Sequence, residues 1–241
     1  MQDLRDPGTD HSWLWQLHPV FGLKPAEFVT AVRVRLGAAI TERRTACARC
    51  DASMDPECRH ALRCAISCAT RGHNKVKAAI HSLACLADGS AAVEPVGLIP
   101  SAPALRPADV LTSAAIPGRL AALDIGVTSP DSAGAGADAC EAMARSKRAY
   151  YAPHARELEG EDVVYQPMVW SCYGRPHVET AATLMQLSRA AARRQGFEAA
   201  GPLLARTQTV LGVQLWRRVA SMVHACLPLP SADEAALTLG M

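Results

Sequence analysis

Aromatic side chains are scarce: Phe, Trp and Tyr together make up 5% of the 241 residues. Cores must therefore be built from aliphatic residues, and many helix surfaces from alanine, the strongest helix former. No apolar run approaches the roughly 18 residues needed to span a bilayer, so no membrane partner is expected. The opening Met1-Gln2-Asp3-Leu4-Arg5-Asp6 lacks the apolar segment of a secretory signal. With nine cysteines in the chain, that absence argues against a secreted disulfide framework and for a reducing, intracellular compartment. No internal repeat is found, which excludes solenoids and propellers. Nor does one sign of charge dominate. Twenty-five Lys and Arg face 23 Asp and Glu, and a net charge of +2 is too small to argue for a nucleic-acid partner by itself.

The hydrophobic fraction of 49% with 20% charged residues is that of a globular chain rather than a disordered one. This length accommodates one main domain and a small accessory module. Distribution of charge says more than its sum. Between Ala31 and Lys77, ten Lys and Arg, among them Arg33, Arg35, Arg43, Arg44, Arg71, Lys75 and Lys77, face only Glu42, Asp51, Asp55 and Glu57. A second stretch sets Arg189, Arg193, Arg194, Arg206, Arg217 and Arg218 against Glu198 alone. Such faces suit a binder of phosphate backbones, although solvated helix faces have the same pattern.

The first two dozen residues, with Trp13, Trp15 and the turn-like His18-Pro19, read as an arm or linker without a core of its own. From Pro25, Phe28, Val32, Leu36 and Ile40 repeat every four residues, as in an amphipathic helix. Helical spacing returns at Val76, Ile80, Leu83 and Leu86. Residues 93–99 suggest an edge strand interrupted by Pro95. Two strands, around residues 108–111 and from Leu120 to Thr128, are joined through Pro117-Gly118 and predict a hairpin. After a Gly-rich loop, a helix carries Met143, Lys147 and Tyr151 at spacing four. A fourth strand runs from Val163 to Val169. The tail predicts two helices, one with Val178, Ala181, Met185, Ser188 and Ala192 on its apolar face, the other with Leu203, Thr207, Leu211, Leu215, Val219, Met222 and Cys226.

Two constellations carry chemistry. Cys47 and Cys50 are separated by two residues, and nine residues beyond Cys50 come His60 and, after three more, Cys64. Zinc takes four soft or borderline donors in a tetrahedron, and a two-residue gap lets paired thiolates share one ion through a tight turn. Cys58 or Cys68 can replace a member of this quartet on spacing alone. The second constellation is Asp109 and Asp124, with fourteen residues between them and each among strand-forming residues. Alternation along Leu123-Asp124-Ile125-Gly126-Val127-Thr128 turns Asp124, Gly126 and Thr128 to one face. Carboxylates on neighbouring strands can converge on a divalent cation that activates water, or can simply end strands at a solvent face.

The order of these motifs resembles the C-terminal region of site-specific non-LTR retrotransposon reverse-transcriptase proteins. The Cys/His quartet is followed by Arg71-Gly72-His73-Asn74, Arg106-Pro107-Ala108-Asp109, Ala122 to Pro130, and Lys147 with Tyr150 and Tyr151. In that family a CCHC zinc motif and an Arg-His-Asn segment lead into a PD-(D/E)XK, restriction-endonuclease-like nuclease. The resemblance implies Asp109, Asp124 and the carbonyl of Ile125 as ligands of a catalytic magnesium or manganese. Lys147 supplies the basic group, because Gly126 stands where the archetypal motif has lysine. Zinc at Cys47, Cys50, His60 and Cys64 is then structural. Arg71, His73, Asn74 and Lys75 are the candidate nucleic-acid contacts. His73 and Asn74 are expected to touch phosphate or cap a helix, since nothing in the sequence orients the imidazole. Glu94 is read as an edge charge.

The expected fold is α/β, a PD-(D/E)XK-like mixed sheet of about four strands flanked by helices, with an N-terminal zinc knuckle and a helical C-terminal extension. The divisions are residues 1–24 (arm or linker), 25–70 (helix and zinc module), 71–176 (nuclease core) and 177–241 (extension). The expected function is magnesium-dependent endonucleolytic nicking of DNA, with RNA as a second ligand, in the nucleus. Nothing in these residues reads as a polymerase palm. The rivals are a decayed, non-cleaving nucleic-acid-binding module and a scaffold in which zinc only stabilises helices.

Overall fold

The computed structural model describes residues 3–15, 22–64, 69–132 and 134–228, with the side chains of residues 69–71 outside it. His18-Pro19, Cys68 and the Arg71 side chain therefore lie outside the described residues. The fold is α/β. Four strands, β3 (Ala92–Val93), β4 (Val110–Ile116), β5 (Arg119–Thr128) and β6 (Val163–Ser171), lie side by side in that order. The β3–β4 and β4–β5 pairs are antiparallel, the second being the hairpin expected around Pro117-Gly118. β6 runs parallel to β5, so the chain must cross over, and it does so through α3 (Ala139–Tyr151) and α4 (Ala155–Gly160). The edge segment expected over residues 93–99 shrinks to β3, because Glu94 adopts φ 47° and Pro95 has no N–H for a ladder.

One sheet face turns Leu123, Ile125, Met168 and Trp170 onto α2 (Ala69–Ala87), α5 (Val178–Gln195) and α6 (Gly201–Cys226). The other presents Ala122 and Val169 to α3, α4 and the segment before β4. This is strand alternation with both faces covered, so from Leu120 to Val127 β5 is apolar on each side except at Asp124. Helix faces were legible to different degrees. On α6 the expected Thr207, Leu211, Leu215, Val219, Met222 and Cys226 are buried. On α5 the expected Ser188 and Ala192 are buried, but with Thr180, Thr183, Leu184, Leu187 and Ala191, while Val178 is 75% exposed. On α1 (Pro25–Leu36) Thr30, Ala31 and Val34 face inward, Leu36 is exposed and the helix stops at Gly37, short of Ile40. Small residues face the core there because neighbouring helices approach closely.

The N-terminal arm is not coreless. Trp13 is 1% exposed and stacks on Trp216 of α6 at 4.8 Å between ring centroids. That pair joins α1 and the cysteine-rich segment in a second core built along the C-terminal half of α6. Nor do the two last helices form a detached extension, since Leu184, Leu187, Leu211 and Leu215 share the first core with Leu123 and Ile125.

Asp88, just past the end of α2, pins that helix to β4. One carboxylate oxygen accepts from the Ser90 N–H and hydroxyl (2.9 and 2.6 Å), the other from the Thr112 hydroxyl and the Ser113 N–H (2.9 and 2.7 Å). Burial opposes its ionisation, but these donors outweigh burial and hold the carboxyl well below the usual carboxylate range. A depressed folded pKa contributes stability that is complete above the unfolded value, about 3.9, and is lost as pH falls below it. Asp88→Ala, which also strands the Thr112 hydroxyl, is expected to cost about 1–3 kcal/mol at neutral pH. Denaturant melts at pH 7 and pH 3 check this: the gap between the two proteins should narrow at the lower pH, and an unchanged gap would refute the assignment.

Candidate metal centre and carboxylate site

The Cys/His segment folds as a short hairpin, β1 (Thr45–Ala46) against β2 (Ser53–Met54), followed by a 3-10 turn over Arg59–Arg63. Cys47 and Cys50 sit in the hairpin turn, closed by the Asp51 N–H to the Cys47 carbonyl at 2.9 Å. The 3-10 turn brings His60 and Cys64 back onto them. All four donor atoms lie within 4.8 Å of one another. Cys47 Sγ to Cys64 Sγ is 3.9 Å, Cys64 Sγ to Cys50 Sγ 3.8 Å, and Cys50 Sγ to His60 Nε2 3.2 Å. A zinc tetrahedron with Zn–S near 2.3 Å has S–S edges of about 3.8 Å, so the sulfur spacing already matches one. The group can hold a metal ion such as zinc. Burial opposes ionisation of Cys47, but the N–H groups of Arg49 and Cys50 and the neighbouring Cys226 and Cys50 thiols outweigh it and draw the thiol below its ordinary value.

Cys58 is no substitute ligand. Its thiol points to the Pro56 carbonyl at 3.8 Å and is pushed up to about 11 by burial, then by Asp55.

The carboxylates occupy a different place. Asp109 comes just before β4, and one step along the register that sets Val110 against Leu123 brings it opposite Asp124. The Asp109 N–H still reaches the Leu123 carbonyl at 2.9 Å, but the Ile125 N–H goes to the Asp109 carboxylate at 2.8 Å. His73, from α2, shares its Nε2 between the same carboxylate oxygen (3.2 Å) and the Ile125 carbonyl (3.1 Å). So the imidazole is oriented after all, by partners more than thirty residues away in sequence. His73 lies inside α2, beyond its first turn, and is not a cap. The hydrogen bond to Asp109 raises His73 against the opposing effect of burial. Burial likewise works against the Asp109 carboxylate, but His73, the Ile125 N–H and Lys77 hold it below its ordinary value.

Lys147 reaches Asp124 from α3, with Nζ 2.7 Å from Oδ1. The other Asp124 oxygen accepts from the Tyr165 hydroxyl of β6. Gly126 makes this reach possible: a Cβ there would stand 2.7 Å from the Lys147 Cε and 2.7 Å from the Met143 sulfur. The lysine stem thus fills the space above the strand where a side chain at position 126 would lie. Gly72, which interrupts the Arg-His-Asn segment, has a similar cause, since a Cβ would fall 2.2 Å from the Arg218 Cγ. Glu94 is not a ligand facing this patch, because its carboxylate pairs with Lys77 and with Arg106 (3.1 Å).

Asp109, Asp124, His73 and Lys147 are therefore assembled from four separated segments, each with a side chain no more than 30% exposed. Two carboxylates and a carbonyl are a hard-oxygen set, chemically suited to magnesium or manganese. Their oxygens here face His73, Lys147 and Tyr165. Among the described residues the Cys/His quartet is the one group of three or more His, Cys, Asp or Glu donors drawn together closely enough for an ion.

Of the candidate phosphate contacts, Asn74 and Lys75 are exposed, whereas His73 is committed to Asp109. Half of the second basic stretch is engaged internally. Arg194 donates to the Cys85 carbonyl, Arg217 to the Gly22 carbonyl, and Arg218 is buried. Arg189, Arg193 and Arg206 remain exposed. No helix among the described residues is long and apolar enough to cross a membrane. Compared with known proteins, the chain matches no family model, no curated protein and no solved structure.

Protein purified without added metal is expected to carry one zinc per chain by elemental analysis. Cys47→Ser should lose it and Cys58→Ser should retain it. Full zinc content in Cys47→Ser would sink the ligand assignment.

Proposed function

We propose that the chain is a metal-dependent DNA endonuclease of the PD-(D/E)XK type, from a site-specific non-LTR retrotransposon protein, with a zinc knuckle in front of the nuclease core. The observation that carries this reading is the meeting of Asp109, Asp124, His73 and Lys147 on one patch of a four-stranded mixed sheet, with Gly126 yielding its space to Lys147. An ion pair withdrawn from water is a poor source of stability, so two partly buried pairs side by side call for a reason other than packing.

On this reading Asp109, Asp124 and the Ile125 carbonyl would hold one magnesium or manganese, which would supply a water nucleophile and neutralise charge on the phosphate. His73 and Lys147 hold the two carboxylates in place. Lys147 then turns its ammonium to a phosphate oxygen. The product is a nick of the kind that primes reverse transcription, and the nucleus is the place of action. Zinc holds the knuckle.

A second reading has one observation in its favour: both oxygens of Asp124 are already satisfied, by Lys147 and Tyr165. A carboxylate saturated by its own protein suits a module that binds nucleic acid without cutting it.

Supercoiled plasmid with magnesium or manganese separates the two. Nicking is expected, and Asp124→Asn should lower its rate on the order of a thousandfold or more while the protein stays folded, because an amide loses both charge and chelating power. Gly126→Ala, which displaces the Lys147 stem, should lower the rate less. Failure of the folded, zinc-loaded chain to cut supercoiled, branched or single-stranded DNA with either ion would overturn the nuclease reading in favour of the binding module.

A further inference from the structure

The chain has only four tyrosines, and three of them stand in a row beside the carboxylate site. Tyr165 donates its hydroxyl to Asp124 and packs on Tyr151, ring centroids 4.7 Å apart. Tyr151 donates to the Arg106 carbonyl at 3.0 Å. Tyr150 meets Tyr151 edge to face, at 4.9 Å and 85°, and is itself 64% exposed. The inner two rings are fixed by hydrogen bonds and partly withdrawn from water. Burial first, and then Asp124, pushes the Tyr151 hydroxyl up to about 12, so it remains a neutral donor. The row ends in a ring open to solvent and held against a rigid neighbour.

A lone exposed aromatic needs no explanation, but a braced one leading to a pair of carboxylates does. Lys147 and Arg148 lie within one turn of it on α3, paired with Asp124 and Glu179, and Arg106, whose carbonyl holds Tyr151, pairs with Glu94. Two of these pairs are neutral, but Glu94 has two cationic partners, Lys77 and Arg106, which leaves a net positive charge there, and Arg106 is 56% exposed. An open aromatic face among cations matches a nucleotide, whose base stacks while its phosphate is met by the cations. In a duplex the base faces are already stacked on each other and unavailable.

We propose that Tyr150 is a stacking platform for an unpaired nucleobase, so that this site takes a strand that is single or locally opened rather than intact duplex. This rests on the nuclease reading for its ligand class, but it concerns binding and not cleavage. Stacking ignores the sugar, so DNA and RNA strands should respond alike at Tyr150.

The test is fluorescence anisotropy of labelled single-stranded DNA, single-stranded RNA and a DNA duplex of equal length, on zinc-loaded protein in buffer without magnesium or manganese, so that no cutting occurs and the Cys/His cluster keeps its ion. Tyr150→Ala should weaken both single strands about 5- to 150-fold, the range for loss of one stacked base, and leave the duplex within about twofold. Tyr150→Phe should restore single-strand binding. Because Tyr150 is largely exposed, both variants should melt with the parent protein. Unchanged single-strand affinity in Tyr150→Ala, or equal loss for single strand and duplex, would overturn the platform while leaving the nuclease reading intact. No binding of any strand by the parent protein would overturn both. A response from DNA alone would replace stacking with a contact that depends on the sugar.

Discussion

The antiparallel register that sets Val110 against Leu123 fixes almost everything else at the carboxylate site. It brings Asp109 to the point where β4 begins and opposite Asp124, with Ile125 N–H left without a strand partner. A buried backbone donor must find an acceptor, and the Asp109 side chain provides it. That bond turns the carboxylate toward the Ile125 carbonyl and so toward His73. A slip of one residue would reverse the faces of β5, exchanging Asp124 with apolar neighbours of the core. The cost of such a slip is the burial of Leu123, Ile125, Met168 and Trp170, so packing on one sheet face holds the chemistry on the other.

Helices complete the site only because the sheet and its neighbours leave room. Lys147 crosses above β5 at Gly126, and Arg218 passes beside α2 at Gly72. In both places a long cationic side chain lies where a Cβ would collide with it. Lys147 thus reaches Asp124 from the helix, through the space that a side chain at position 126 would fill. A short strand-borne side chain and a long helix-borne one can deliver the same group to the same point if one position in between is glycine.

Legibility followed the range of the interactions involved. The hairpin, the existence of a fourth strand and the burial pattern of α6 were readable because periodicity and turn residues are local. The Cys/His quartet was readable for the same reason: its spacing is set by one hairpin and one 3-10 turn. Asp124 and Lys147 could be named from motif order, but their contact could not, since it depends on how α3 crosses β5. The role of His73 was missed because Asp109 and Ile125 come 36 and 52 residues later. Trp13 was misread for a similar reason: an arm with two tryptophans has no local partner, and Trp216 lies some two hundred residues away. The basic stretch around Arg217 looked like a phosphate face because sequence shows charge but not the backbone carbonyls that absorb it.

The Cys/His cluster and the carboxylate site are joined by α6. Its C-terminal carbonyls would be orphans, and the cysteine hairpin caps them: the Ala48 N–H reaches the Cys226 carbonyl at 2.9 Å and the Arg49 guanidinium the Ala225 carbonyl at 3.0 Å. Cys47 and Cys64 are buried in the same core as Trp216, Val219 and Val223. Further toward the N-terminus of α6, Leu211 and Leu215 pack in the core beneath β5. The helix therefore carries the hairpin at one end and supports the sheet at the other. Four donors closing on an ion stabilise a hairpin of two-residue strands that has little core of its own. Through its caps that hairpin also holds the last turn of α6, the helix whose other half packs beneath the strand that bears Asp124.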